Sequence, residues 1–342
     1  MPHMVARSDS LDTPKKWQHQ VANPVTDSSE LFTLLDLATD AHGDELVGAL
    51  KASEAFPLRF PRSLIGQLDG GNPNHPITRQ FLPSAAELND AAGYSADPLA
   101  EQEAQPVPGL LHKYRGRVLL VTTQVCAVHC RYCFRRHYPY ADQRDPEGLW
   151  QQAIAYIEQR QQITEVILSG GDPLSLADQK LTTLIKRLEK IPHLTTLRFH
   201  SRTAALFPER ITPALVELLE NCRLNVVLVT HINHPLEISD QLPAALAPLQ
   251  AAGVKLLNQS VLLKGVNDGV EPLSELSEKL FSAGILPYYL HLPDRVSGTA
   301  HFAVDDETGK TLVNGLRRRL PGYLVPRLVR EVAHEAGKTL IG

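Results

Sequence analysis

From Arg117 onward the chain alternates short β-rich runs with helix-like stretches, and that rhythm leaves few folds open. The runs are VLLVTT (118–123), EVILSG (165–170), TLRFHS (196–201), NVVLVTH (225–231), VKLLNQSVL (254–262) and ILPYYLHL (285–292). Between them lie helix-like stretches at 146–160, 173–190, 208–221, 239–252 and 271–283. Many open on a proline beside an acidic residue, as in DPEG, GDPL, FPER and VEPL, which suits a first helical turn. Six strands separated by helices imply a parallel sheet with right-handed crossovers. The expectation is an α/β fold whose sheet curls into a partial (β/α)6 TIM-like barrel, with its site at the carboxyl ends of the strands. A final helix is expected over 304–320.

The upstream third reads differently. Trp17 to Leu50 holds short apolar-periodic stretches such as SSELFTLLDL, where Ser28 or Ser29 suits a helix cap. From Phe56 to Pro108 the composition turns proline-rich and reads as an extended wrapping segment. The expected division is an N-terminal helical and wrapping region (1–110), a barrel core (111–300) and a C-terminal helix and tail (301–342). Hydrophobic residues make up 43% of the 342, enough for a core, so disorder is excluded as the main state. With 34 basic against 38 acidic residues, the chain is not built to coat nucleic acid. No apolar run approaches the ~18–20 residues of a membrane span. The N-terminus lacks the apolar core of a signal peptide, so a cytoplasmic location is expected.

Cys126, Cys130 and Cys133 form a C-x3-C-x2-C run just after the first barrel strand, and Cys222 stands apart. Thiolates at this density bind soft metals. Zinc would want a fourth ligand, for which His129 and His137 are at hand. An iron–sulfur cluster can use three thiolates and leave one iron open. Ser169-Gly170-Gly171-Asp172-Pro173-Leu174 ends the second strand, where glycines let backbone approach a ligand. Polar residues mark three further strand ends: His200-Ser201-Arg202, Thr230 to His234, and Asn258-Gln259-Ser260. Any one suits an ordinary strand terminus, but together they favour a site. Cys222 reads as a small apolar residue, and Arg317-Arg318-Arg319 as a solvated helix face.

A C-x3-C-x2-C run after a first β-strand resembles the signature of radical S-adenosylmethionine enzymes. The combination CRYCFRR, SGGDPL, HSRT, THINHP, NQSVLLKGVND, PYYLHLPD and PGYLVP resembles the lysine 2,3-aminomutase family from about residue 107 to 342. The upstream stretch FPLRFPRSLIGQLDGGNPNHPITRQFLPS resembles its compact branch, which serves lysylation of elongation factor P. The resemblance implies a radical enzyme with a [4Fe–4S] cluster, S-adenosylmethionine and pyridoxal 5′-phosphate (PLP). It implies an isomerase that converts (S)-α-lysine to (R)-β-lysine, with an electron donor such as flavodoxin or ferredoxin. The product would pass to elongation factor P through a separate ligase.

Carried over residue by residue, Cys126, Cys130 and Cys133 match the cluster ligands. Ser169, Gly170, Gly171 and Asp172 match the loop that grips S-adenosylmethionine, and Ser201, Arg202, His231, Asn258 and Gln259 join the cofactor contacts. Lys338 matches the lysine that holds PLP as a Schiff base, and Lys113 and Arg117 match cations for its phosphate. Tyr132 stands where stand-alone lysine enzymes carry a histidine. Arg135 matches the clamp on the substrate carboxylate, and Asp294 and Glu331 match the acids that receive its distal ammonium. The Arg135 assignment favours free lysine, because a lysine inside a polypeptide has no free α-carboxylate. A chain that ends four residues after Lys338 favours the elongation factor P branch over a stand-alone metabolic aminomutase. The rival from another class is a non-catalytic iron–sulfur or zinc module that binds elongation factor P or its ligase.

Overall fold

The computed structural model describes residues 16–37, 42–66, 68, 70–139 and 146–342. Residues 1–15, part of the stretch read for a signal peptide, lie outside them.

All six expected runs form strands. They are β2 (Arg117–Thr123), β3 (Glu165–Gly170), β4 (Thr196–Ser201), β5 (Asn225–Thr230), β6 (Lys255–Val261) and β7 (Leu286–His291). Three unforeseen strands extend the sheet: β1 (Leu110–Tyr114), β8 (Arg327–Arg330) and β9 (Thr339–Leu340). The nine lie in chain order. β2 to β8 run parallel, while β1 and β9 pair antiparallel at the two edges. Segment 301–342 is therefore continuous with the barrel sheet. The register pairs Val121 with Ser169, Ser201 with Thr230 and His291 with Val329, so the carboxyl ends finish level.

Side-chain alternation along each strand sorts the residues into two faces. Leu120, Val166, Leu168, Leu197, Phe199 and Leu228 bury against Trp150, Leu181, Leu184 and Leu246 of the surrounding helices. The opposite parity (Ile167 and Ser169, Arg198 and His200, Gln259 and Val261, Tyr289 and His291) lines one central cavity. Strands from β2 to β7 that share one cavity form a curled, open barrel.

The DPEG and VEPL signals open helices Pro146–Glu158 and Val270–Ser282 directly, whereas two other helices begin later than their proline signals suggest. GDPL and FPER each make a single 3-10 turn, and the helices proper start at Asp178 and Pro213. The cause is local: Asp172 caps Leu174, and the chain then bends before a helical ladder forms. Near the N-terminus the cap of Ser28–Leu34 is Asp27, whose Oδ1 accepts from Glu30 N at 2.7 Å. Ser28 is buried instead and bonds Ser53. Cys222 packs half-buried against the barrel core, and Arg319 is an exposed partner of Glu271.

Two satellite cores brace the mouth of the barrel. Trp17, Phe32, Phe60, Phe81 and Phe207 pack with Ala127 and Val128 of the cysteine loop. Helix Asp306–Arg319 buries Leu312, Val313 and Leu316 against Leu290, Leu292 and Leu328. Burial of each such leucine contributes roughly 1.5–3 kcal/mol. No helix among the described residues is long and apolar enough to cross a membrane.

Candidate active site

The cavity at the carboxyl ends of the strands has a volume of about 510 Å³. Of the residues singled out in the sequence it gathers the three cysteines, the Ser169–Asp172 loop, Lys113, Arg117, Arg135, Arg202, His231, Gln259, Asp294, Glu331 and Lys338. Ser201 and Asn258 are not on its wall. Ser201 Oγ donates to Asp172 Oδ1 at 2.7 Å. Asn258 is spent on Thr230, Ile232 and Ser260, which ties β5 to β6. Both are structural supports behind the site.

The cysteine loop follows β2 and is pinned from behind. Arg131 is fully buried and binds Glu87 through Nε at 2.8 Å and Nη2 at 2.6 Å. Arg136 adds a second cation to the same carboxylate at 2.7 Å. The wrapping segment contributes backbone bonds, His129 N to Arg59 O at 3.0 Å and Arg131 N to Gln80 O at 2.8 Å. From inside, Gly171 lies so close that a Cβ there would sit 2.4 Å from Val125 O. The Gly171 and Asp172 N–H groups are committed to Thr123 O and Val125 O. Asp172 accepts from Leu174 N, Ser201 Oγ, Arg202 N and Thr203 N, so its carboxylate organises the loop.

The three thiols influence one another electrostatically, and burial and then this mutual repulsion push Cys126 and Cys133 up, Cys133 to about 11. Burial raises Cys130 as well. Metal loading here must therefore expel protons. Among the described residues no three His, Cys, Asp or Glu side chains converge to hold one ion. A cubic cluster does not ask for that convergence, because each thiolate binds its own iron.

Across the cavity runs a chain of ions. Arg135 grips Glu101 through Nε at 2.7 Å and Nη2 at 2.8 Å. Lys113 bridges Glu101 at 3.0 Å and Glu331 at 2.9 Å. Lys338 Nζ donates to the other oxygen of Glu331 at 3.0 Å. Against the desolvation of burial, Lys338 and Lys113 hold Glu331 far below the usual carboxylate range. Asp294 behaves oppositely: burial, and then the Glu331 charge, push it up to about 7. Arg117 rests on the Tyr114 ring at 4.2 Å and makes no ion pair with a described residue. Lys113 is thus committed to two carboxylates, whereas Arg117 is not.

Glu101, the link between Arg135 and Lys113, was not singled out in the sequence. Nor were His200 and His291 given roles. Their Nε2 atoms are buried without a partner among the described residues. Burial pushes both imidazoles well below their ordinary value, so both are neutral. Orphaned polar atoms in a roomy cavity mark a place for a hydrogen-bonding ligand. His231 lies 2.8 Å from the Gln259 amide on the same wall. Tyr132 is engaged with Arg202 and, at 2.7 Å, with Asn233. Arg202, on the cavity wall, is locked into a buried pair with Glu237 and stacks over Phe81, which fixes its position.

The chain is similar in sequence to known proteins. The Radical SAM superfamily model matches residues 120–275. The L-lysine 2,3-aminomutase of Escherichia coli (strain K12) is 46% identical over 99% of this chain and 97% of its own length. That of Haemophilus influenzae is 46% identical over 95% of each. That of Clostridium subterminale is 39% identical over 94% of this chain and 77% of its own length. Among solved structures, a radical SAM methyltransferase from Sphaerobacter thermophilus is 17% identical over 65% of this chain and 68% of that one, with a TM-score of 0.44. With identity near one half over nearly full length, a three-cysteine loop at the mouth of an open barrel and a cavity that unites it with Lys338, the chain belongs to the L-lysine 2,3-aminomutase family of radical S-adenosylmethionine enzymes.

Proposed function

We propose that this enzyme converts free L-α-lysine to β-lysine by 2,3-migration of the amino group. The observation that carries the reading is the meeting, in one cavity, of the cysteine loop, Arg135, Asp294, Glu331 and Lys338. The family uses a [4Fe–4S] cluster, S-adenosylmethionine and PLP. The cysteine loop fits the first by its donor set, and the orphaned imidazoles, Arg117 and Lys338 fit phosphate- and nitrogen-bearing ligands. When bound, these groups supply a carbon radical that abstracts hydrogen and a conjugated system that stabilises the migrating centre.

The chain's own residues set the substrate's pose. A planar carboxylate is met by Arg135, which Glu101 and Ser169 orient. A distal ammonium is met by Asp294 and Glu331 in a buried setting where an unpaired charge costs several kcal/mol. Glu331 Oε2 is held by the Lys338 ammonium, so an incoming ammonium takes that oxygen once Lys338 Nζ is committed elsewhere. Asp294 then loses its proton to pair with the arriving charge, since a cation reverses the repulsion from Glu331. Two acids at one end and a guanidinium at the other suit lysine and disfavour glutamate.

The resemblance of residues 56–84 to the compact branch supports a finer reading, in which the β-lysyl product supplies elongation factor P through a ligase. The test is anaerobic reconstitution with iron, sulfide, PLP, S-adenosylmethionine and a reductant, followed by assay on free lysine. β-Lysine must appear; its absence, with both cofactors loaded, refutes the reaction. Addition of the ligase and elongation factor P must then give a β-lysyl adduct by mass, and free β-lysine alone would favour the stand-alone metabolic role.

A further inference from the structure

Arg135 does not stand alone. Its Nε–Nη2 edge is taken by both oxygens of Glu101, at 2.7 and 2.8 Å, and its Nη1 donates to Ser169 Oγ at 3.2 Å. A guanidinium is planar, so a carboxylate fixed on one edge fixes the plane and the direction of the other. The Glu101 side chain is 6% exposed and comes from outside the barrel, 34 residues before its partner.

The backbone is shaped to deliver it. Asp97 Oδ1 accepts from Glu101 N at 2.9 Å and Oδ2 from Gln102 N at 3.0 Å. Ala100, just before Glu101, holds a φ of +49°, a left-handed conformation that a non-glycine residue adopts at a cost. Such a turn, in the proline-rich wrapping segment, turns one carboxylate inward. Lys113 at 3.0 Å supplies a second cation to Glu101 Oε1, the oxygen that also accepts from Arg135 Nη2. Arg135 and Lys113 keep the carboxylate below its ordinary range against desolvation, so it stays charged.

We propose that Glu101 is the positioning residue of a carboxylate clamp, aligning Arg135 for the substrate's α-carboxylate. The proposal rests on the assignment of Arg135 to that carboxylate. It differs from a purely structural ion pair in one respect: Glu101 must affect ligands that carry a carboxylate and spare those that do not.

The experiment uses the cofactor-loaded enzyme without S-adenosylmethionine, so that nothing turns over. Calorimetry gives the dissociation constants of L-lysine and of L-lysinamide, which lacks the carboxylate. In the wild type, lysine binds the tighter. Glu101→Gln removes the charge and sets an amide N–H against an arginine donor. It should weaken lysine at least about tenfold and change lysinamide less than about threefold, as loss of a charge-assisted bond does. Glu101→Asp keeps the charge but withdraws it, and should lower the lysine-to-lysinamide preference by a smaller factor. Parallel weakening of both ligands, or an unchanged preference in soluble Glu101→Asp, overturns the proposal. Arg135→Gln separates the two layers. If it leaves the preference intact, the clamp itself is misassigned. If it abolishes the preference while the Glu101 variants keep it, only the role of Glu101 fails.

Discussion

Replacement of Asp294 by Asn tests the ammonium site most directly, because it keeps shape and deletes charge. In the cavity without a bound ammonium, burial and the Glu331 charge hold Asp294 at about 7. For an acid raised in this way the proton stays on below that pH, and the charged form dominates above it. About ten molecules in eleven are therefore protonated at pH 6 and about one in eleven at pH 8. A lysine ammonium pairs with the charged form, so the contribution of Asp294 falls about tenfold from pH 8 to pH 6. Lys338 and Lys113 oppose the rise and Glu101 adds to it; with Lys338 committed to PLP one opposing cation is withdrawn, which moves Asp294 further up and makes the fall at least about tenfold. The assay is kcat/KM for lysine across this range in both proteins, at equal iron and PLP content. The ratio of wild type to Asp294→Asn cancels the ionisations of substrate and cofactor. We expect the ratio to be large at pH 8, equivalent to about 2–4 kcal/mol for one broken buried pair, and to shrink at least about tenfold by pH 6. A pH-independent ratio would refute the protonation argument. A near-normal rate in Asp294→Asn would refute the ammonium site, since a merely capping Asp tolerates Asn.

Three further variants probe the frame. Gly171→Ala places a Cβ 2.4 Å from Val125 O, so the cysteine loop must shift; the protein should fold yet lose most of its iron and sulfide on reconstitution, and full iron content would count against the packing described. Lys338→Ala should keep its iron while losing both the visible absorbance of bound PLP and β-lysine formation, and unchanged absorbance would move the attachment to another lysine. Glu87→Gln leaves Arg131 and Arg136 buried against one neutral partner; anaerobic urea denaturation should show a loss of about 3–5 kcal/mol, and a change below about 1 kcal/mol would show that the pairs carry little.

The barrel was legible because its inner strands are continuous β-rich runs between amphipathic stretches, and the six expected strands lie within a residue of their expected ends. Its edges were not. LLHKY mixes two apolar residues with three polar ones, RLVR is four residues long and TL only two, and short edge strands carry little apolar signal. In the site, residue types betrayed the groups whose chemistry is unusual: three thiols in eight positions, or glycines at a strand end. Ser201 and Asn258 shared the same strand-end signal and turned out to serve the frame, because alternation aims them away from the cavity. Glu101 could not be found from ADPLAEQEAQ. Glu103 stands two residues on and is exposed, and only the Asp97 cap and the left-handed Ala100 distinguish the two acids.

The two edges of the sheet, β1 and the β8–β9 pair, meet through the Lys113–Glu331 contact. No backbone ladder joins β1 to β8 or β9 among the described residues. This makes the barrel a sleeve with a side-chain seam. A ladder opens only by breaking several coupled hydrogen bonds, whereas a seam of this kind parts by rotation about single bonds. Hydrogen exchange would make the difference visible. Amides of β1 and β9 should exchange by local opening, those of β3 to β6 only with global unfolding, and cofactor loading should slow the first group far more than the second.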